Sequence, residues 1–296
     1  MNKPDQARQT KRERGMQANL ITDWVMGRLL AGAQPGWARI GLTATLTRAE
    51  EDYKFSTLNR DGTSQVREIP NEVFRAFPDL RDLLYEEQEG SWFALRLECD
   101  ESEVYNAMYV FDEDPLWDPP IPSAAYIDDL GKFPRSSKYI PRWLQRHIDP
   151  ETALPPVAAG DFDAQEHFRK SLFKQIKLAV PFGWEYVQIK FRMVGDHAEI
   201  GALLKTVAGP MLVWNPPSAV TERFQELRAS MANGSSTWFS ATAQVDYATR
   251  QEKLDTNRSE APQWINAPTL EDFATELRRV DGERDRLPEW ITSQLE

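Results

Sequence analysis

Tryptophan recurs in this chain at a fixed distance. Gly36-Trp37 is matched by Gly183-Trp184, 147 residues further on. Phe77, Leu80 and Arg81 are matched by Phe224, Leu227 and Arg228 at the same offset. Trp92-Phe93 matches Trp238-Phe239 at 146, so one residue has been lost in between. Pro115, Trp117 and Pro120 return to 147 against Pro262, Trp264 and Ala267, and Leu130 does so against Leu277. Ile140-Pro141-Arg142-Trp143-Leu144 closes the series against Leu287-Pro288-Glu289-Trp290-Ile291. Tryptophan is a rare residue, and four matched positions in nearly one register do not arise by chance. Solenoid repeats are far shorter, so this period means two domains. A length of 296 residues suits two domains of ordinary size.

The same comparison sets boundaries. Residues 1–15 form a basic tail without a counterpart in the second copy, and this tail is expected to be disordered. Copy one then occupies residues 16–150 and copy two residues 162–296. Between them, residues 151–161 read as a linker rich in Pro, Ala and Gly.

Each copy opens with an amphipathic helix. Leu20, Ile21, Trp24, Val25, Leu29 and Leu30 recur at helical spacing, as do Phe168, Leu172, Phe173, Ile176 and Val180. An alternating strand follows, with Ile40, Leu42, Ala44 and Leu46 on one face, and Val187, Ile189, Phe191 and Met193 in the second copy. Asn59–Gly62 and Gly195-Asp196 read as the turns after these strands. Second helices are expected near Asn71–Tyr85 and Pro217–Met231. In copy one a hairpin of Trp92–Cys99 and Tyr105–Phe111 comes next, then a proline-rich loop carrying Trp117, then a last helix near Ala125–Leu130, matched by Leu270–Val280. The order α-β-β-α-β-β-α predicts an α+β fold, two tandem repeats of an antiparallel sheet packed with helices. The copies are expected to pack on one another within a monomer.

Composition limits function. With 41% hydrophobic and 27% charged residues the chain falls in the globular class. A net charge of −11 disfavours nucleic acid and suits a basic partner. The lone Cys99 forbids an intrachain disulfide and fits a reducing compartment. No apolar run is long enough to span a membrane, and the first residues lack a signal-peptide core, so a soluble cytoplasmic protein is expected. His147, His167 and His197 stand apart. His197-Ala-Glu199 lacks the cysteine pair a zinc deaminase needs, and Ser171-Leu-Phe-Lys174 sits inside a helix that copy one builds without it. No catalytic, metal or cofactor constellation emerges, and the chain reads as a non-enzyme.

The copies differ in charge. From Glu86 to Asp118, eleven acids stand against Arg96 alone, a segment sum of −10, whereas Ala232 to Ile265 sums to −1. Such crowding repels itself unless a cationic surface docks there. Asp112, Glu113, Asp114 and Asp118, with Trp117 as an aromatic anchor, are the candidate partner-binding residues, since loops on rigid scaffolds carry function and tryptophan is enriched at hot spots.

One string is distinctive: Gly90-Ser-Trp-Phe93, a hairpin, Tyr109-Val-Phe-Asp-Glu-Asp-Pro-Leu-Trp-Asp-Pro-Pro120, Tyr126-Ile-Asp-Asp-Leu-Gly-Lys-Phe-Pro-Arg135 and Ile140-Pro-Arg-Trp-Leu144. It resembles the actinobacterial branch of the YezG-like immunity protein family, over most of copy one. Copy two keeps the framework tryptophans but reads Arg258-Ser-Glu-Ala-Pro-Gln-Trp264 in the loop, and Val280-Asp-Gly282 where copy one has Phe133-Pro-Arg135. The resemblance implies an antitoxin that occludes a cognate toxin domain, a nuclease or an NAD-hydrolysing enzyme with a basic active site. The alternative is a non-enzymatic interaction or scaffold protein built as a tandem pseudo-dimer.

Overall fold

Alternation of Ile40, Leu42, Ala44 and Leu46 with smaller or polar residues puts one aliphatic row on β1 (Trp37–Leu46), and that row is buried along its length. In the computed structural model, which describes residues 3–33, 35–207, 209–232 and 237–296, β1 is the middle strand of a five-stranded sheet. The chain divides into two compact units, Met1–Leu154 and Pro155–Glu296, and the division falls inside the stretch 151–161.

The first unit runs α1 (Lys3–Ala31), β1, β2 (Glu51–Asn59), β3 (Ser64–Val66), α2 (Ala76–Leu83), β4 (Ala94–Asp100), β5 (Tyr105–Val110), α3 (Ser123–Lys132) and α4 (Arg142–Ile148). Its strands lie in the order β3-β2-β1-β4-β5, and every pair is antiparallel. The second unit repeats this with α5 (Phe162–Ala179), β6 (Trp184–Val194), β7 (His197–Thr206), β8 (Met211–Trp214), α6 (Ser218–Ser230), β9 (Ser240–Asp246), β10 (Glu252–Asn257), α7 (Leu270–Arg279) and α8 (Glu289–Thr292). Its sheet order, β8-β7-β6-β9-β10, is the first order with each strand replaced by its counterpart. The fold is α+β, two similar modules in tandem.

Each module has two cores. In the first, Val25, Met26 and Leu29 of α1 and Phe77 and Leu80 of α2 cover the inner rows of β1 and β4. In the second, Leu172, Phe173 and Ile176 of α5 and Phe224 and Leu227 of α6 do the same for β6 and β9. A smaller core lies under α3 and α4, where Phe93, Tyr126, Trp143 and Leu144 meet. Its counterpart holds Phe239, Phe273 and Ile291, with Trp290 packed against it. Trp92 and Trp238 are both wholly buried, as large hydrophobes that fix a small core should be.

Three expectations need correction. The sheet has five strands per module rather than four, because β3 and β8 are too short to show alternation. Consequently Asn59–Gly62 is the turn between β2 and β3, and the true counterpart of Gly195-Asp196 is the turn Thr47–Glu50. The expected disordered tail over residues 1–15 is helical from Lys3, continuous with α1. Arg14 reaches the Tyr85 carbonyl at 2.7 Å and Glu86 at 3.2 Å, which anchors this part of the helix to its module.

Candidate functional site

The repeat extends from residues to hydrogen bonds. Arg81, 2% exposed, donates Nε–H to the Trp92 carbonyl at 2.9 Å and grips both oxygens of Asp129 on α3 at 2.7 and 2.8 Å. Arg228 donates to the Trp238 carbonyl at 2.8 Å and to Glu276 on α7 at 2.7 Å. Asp129 also accepts the backbone N–H of Arg48, and Glu276 that of Gly195, at 2.7 and 2.8 Å. Every one of these positions is 147 residues from its partner, apart from the carbonyl pair, which keeps the 146 of the deletion. A buried arginine and a carboxylate thus tie α2 to α3 in the first module and α6 to α7 in the second, together with the strand entry and the first turn. Sequence reasoning found the arginines but missed the acids, because Asp in one copy faces Glu in the other. Trp143 donates its indole N–H to the Asp112 carbonyl at 2.8 Å, and Trp290 to the Ser259 carbonyl at 3.1 Å, again one repeat apart.

The loops after β5 and β10 are where the modules part. In the first, Arg135 enters the base of the loop. It donates to the Ser91 and Phe111 carbonyls at 2.8 Å each, to the Tyr139 carbonyl at 3.1 Å and to Asp112 at 3.1 Å. Burial pulls its guanidinium below the ordinary value while Asp112 opposes that pull, and an arginine stays charged throughout. The side chain crosses Gly90, whose φ is +89°; a Cβ there would come within 2.3 Å of Arg135 Nε. This accounts for Gly90-Ser-Trp-Phe93 and Phe133-Pro-Arg135 occurring together.

The second module has Gly282 where Arg135 would be, and an organiser of opposite charge. Glu199 accepts the backbone N–H groups of Ile265 and Asn266 at 2.9 and 2.7 Å and pairs with Arg192 at 3.0 Å. Burial alone would raise its pKa, but these donors outweigh it and hold the carboxyl below the ordinary value.

The five candidate residues do not form one exposed acidic patch. Glu113 is only 3% exposed. Asp112 is half exposed and held by Arg135. Asp114 is half-buried and accepts the Leu116 N–H at 2.9 Å. Trp117 is half-buried against the core of Phe93, Tyr126, Trp143 and Leu144, and its indole N–H meets no acceptor among the described residues. Asp118 alone is fully at the surface. The segment sum of −10 also overstates the local charge, because bases distant in sequence fold back onto it. Lys11 and Arg14 meet Glu86, Arg60 meets Glu101, and Arg135 meets Asp112. The acids left exposed near the loop base are Glu87 and Glu89, beside the Phe133–Arg135 segment through the Glu89–Arg135 bridge, together with Asp118.

Among the described residues no cluster of His, Cys, Asp and Glu has the geometry to hold a metal ion. No helix is long and apolar enough to cross a membrane, among the residues described. Comparison with protein-family models and with curated proteins finds no match for this chain. What the fold and loops define is therefore a class: a tandem α+β protein with one framework and two differently organised loops.

Proposed function

We propose that the chain is a non-enzymatic binding protein of the immunity type, one that occludes a cognate toxin domain with a basic active site. The observation that carries this reading is the loop 112–118 of the first module. It is pinned from below by Arg135 and by the indole N–H of the buried Trp143, and it leads through Asp118 to Pro119 and Pro120 at the surface. A preorganised loop binds without the entropic cost of ordering. Glu87 and Glu89 add acid beside its base, which would steer a cationic surface toward it. The likeness of the first module's motifs to the YezG-like family points the same way.

The test is coexpression with the toxin-like domain encoded by a neighbouring open reading frame. The intact chain should protect cells and bind the purified domain. Glu87→Gln, Glu89→Gln and Asp118→Asn together should slow association at low salt, with the difference shrinking as salt rises. Asp112 and Glu113 are left intact, since their contacts belong to the fold. Absence of protection and of binding by the intact chain would overturn the reading.

A scaffold role is the second reading. It is favoured by the edge strand β8, where Met211, Leu212 and Val213 are exposed, Val213 at 81%, while the matching edge β3 carries Ser64-Gln65-Val66.

A further inference from the structure

The two sheets end differently at the same edge. In the second module the outer strand is β8, which pairs with β7 through Leu203↔Val213 and Leu204↔Leu212. In the first it is β3, which pairs with β2 through Ser56↔Val66 and Thr57↔Gln65, the same register one repeat earlier. The side chains change character together. Ser56, Ser64, Gln65 and Arg67 are replaced by Leu203, Met211, Leu212 and Trp214, while Val66 is kept as Val213. Leu203, Met211, Leu212 and Val213 are all exposed. The first module completes its sheet with the polar set, so folding does not require the apolar one.

An edge strand directs the N–H and C=O groups of alternate residues away from its sheet. Charged side chains or a proline within the strand ordinarily keep such an edge from pairing. On β10, the opposite edge of the same sheet, Glu252, Lys253 and Asp255 do this. On β8 nothing does. No charged residue stands between Lys205 and Glu222 in the sequence, and the flanking Pro210 and Pro216 lie outside the strand. Those prolines confine any added ladder to the residues between them, since each lacks an N–H.

We propose that β8 pairs with β8 of a second copy of this chain, antiparallel about a two-fold axis through Leu212. Three observations select that occupant. The first is register. Directly opposed side chains of an antiparallel ladder share one face, so a two-fold axis normal to the sheet must pass through a residue position. About Leu212 it sets Leu212 against itself and Met211 against Val213 of the other copy, so every opposed side chain is apolar. Leu204 is buried in the core and shares its face with Leu212, and the pairing extends that row across both copies. The second is charge. In a chain of net charge −11 this uncharged segment is a place where two copies meet without like charges opposed. The third is closure. Pairing uses up the β8 edge of both copies, and charged β10 stops the sheet from growing further. The pairing rests on the edge itself, so it can fail while the functional readings stand.

The test is the mass of the full chain by sedimentation from micromolar to millimolar concentration. A reversible rise from 34.0 kDa toward twice that mass is expected. Val213→Lys sets an ammonium against Met211 of the other copy and should weaken the dimer at least tenfold. Val66→Lys, the same change at the matching edge β3, should leave it unaltered. Adding Met211→Glu to Val213→Lys puts a carboxylate opposite each lysine, and the dimer should return, weakening again as salt rises. In the unaltered chain the outward amides of β8 should gain protection from hydrogen exchange with concentration, which needs no variant. A chain that stays monomeric throughout, growth beyond the dimer, a dimer indifferent to Val213→Lys, or a folded double variant that does not re-form it would each overturn the proposal.

Discussion

Arg81→Met and Arg228→Met are the same substitution made twice in one chain, and the structure gives them different costs. Met conserves most of the volume and removes the charge. In the first module the change strips both oxygens of Asp129 of their guanidinium partner, and the Trp92 carbonyl of its donor. Asp129, 1% exposed, keeps only the Arg48 backbone N–H among these donors. Leaving one half of a buried pair costs about 3–5 kcal/mol. In the second module Glu276 loses one contact but retains the Gly195 N–H at 2.8 Å and Arg279 at 3.2 Å. Arg279 is about a third exposed, so its compensation is screened and partial. A cost of about 2–3 kcal/mol follows. Native-state hydrogen exchange reads each module separately through its slowest amides on β4 and β9. At about 1.4 kcal/mol per tenfold, protection on β4 should fall by two orders of magnitude or more, and on β9 by one to two. Adding Asp129→Leu to Arg81→Met should restore much of the loss, since a buried pair is replaceable by apolar residues. Equal losses in both modules, or a loss under tenfold on β4, would refute this account of what holds α3 and α7.

Two further outcomes follow from single groups. Cys99 is fully buried on β4, and burial with the nearby Asp100 pushes its thiol up to about 11, so it should resist alkylation at pH 8 in the native chain and react promptly in denaturant; prompt native reaction would show the strand opening. The depressed carboxyl of Glu199 contributes stability that is present above the ordinary glutamate range and lost as pH falls through its lowered folded value, so the Ile265 and Asn266 amides should lose protection on acidification. Glu199→Gln should remove that pH dependence, and its persistence would place the titration elsewhere.

How much could be read from sequence depended on whether a signal was local or relational. The strands β1 and β6 and the helices α2, α6, α3 and α7 were legible because alternation and helical spacing are local. Three-residue β3 carries no period, and its partner β8 shows four apolar residues in a row, so neither announces a strand. The helical start of α1 was hidden because residues 3–15 lack apolar spacing; Arg14 anchors that part through Tyr85 and Glu86, a contact that spans 71 residues. The acidic stretch misled for the same reason. Charge was summed along the chain, whereas Lys11, Arg14, Arg60 and Arg135 arrive from outside the stretch. Which acids of the candidate loop are exposed was not legible, because burial of Glu113 is a tertiary fact. The buried acids Asp129 and Glu276 were visible in principle, since ionisable residues of like sign also recur at 147.

The differences between the two loops converge on one tripeptide. Phe133 lines a cleft with Arg81, and Arg135, two residues on, pins the loop that carries Asp118. In the second module both positions change together: Val280 replaces Phe133, Gly282 replaces Arg135, and Glu199 organises the loop instead. The matched framework folds with either set, so the fold does not require the Phe-Pro-Arg sequence. What the sequence adds is a rigid base for the loop after β5, with Arg135 holding it from beneath. A surface that only needed solvation would gain nothing from a buried arginine spending four hydrogen bonds on three carbonyls and one carboxylate, because exposed charge is solvated without being fixed. Fixing the loop costs conformational freedom, which the four Arg135 hydrogen bonds and the Trp143 indole contact offset within the fold. The loop after β5 is thus held in one shape by a buried arginine, and the loop after β10 by a buried carboxylate.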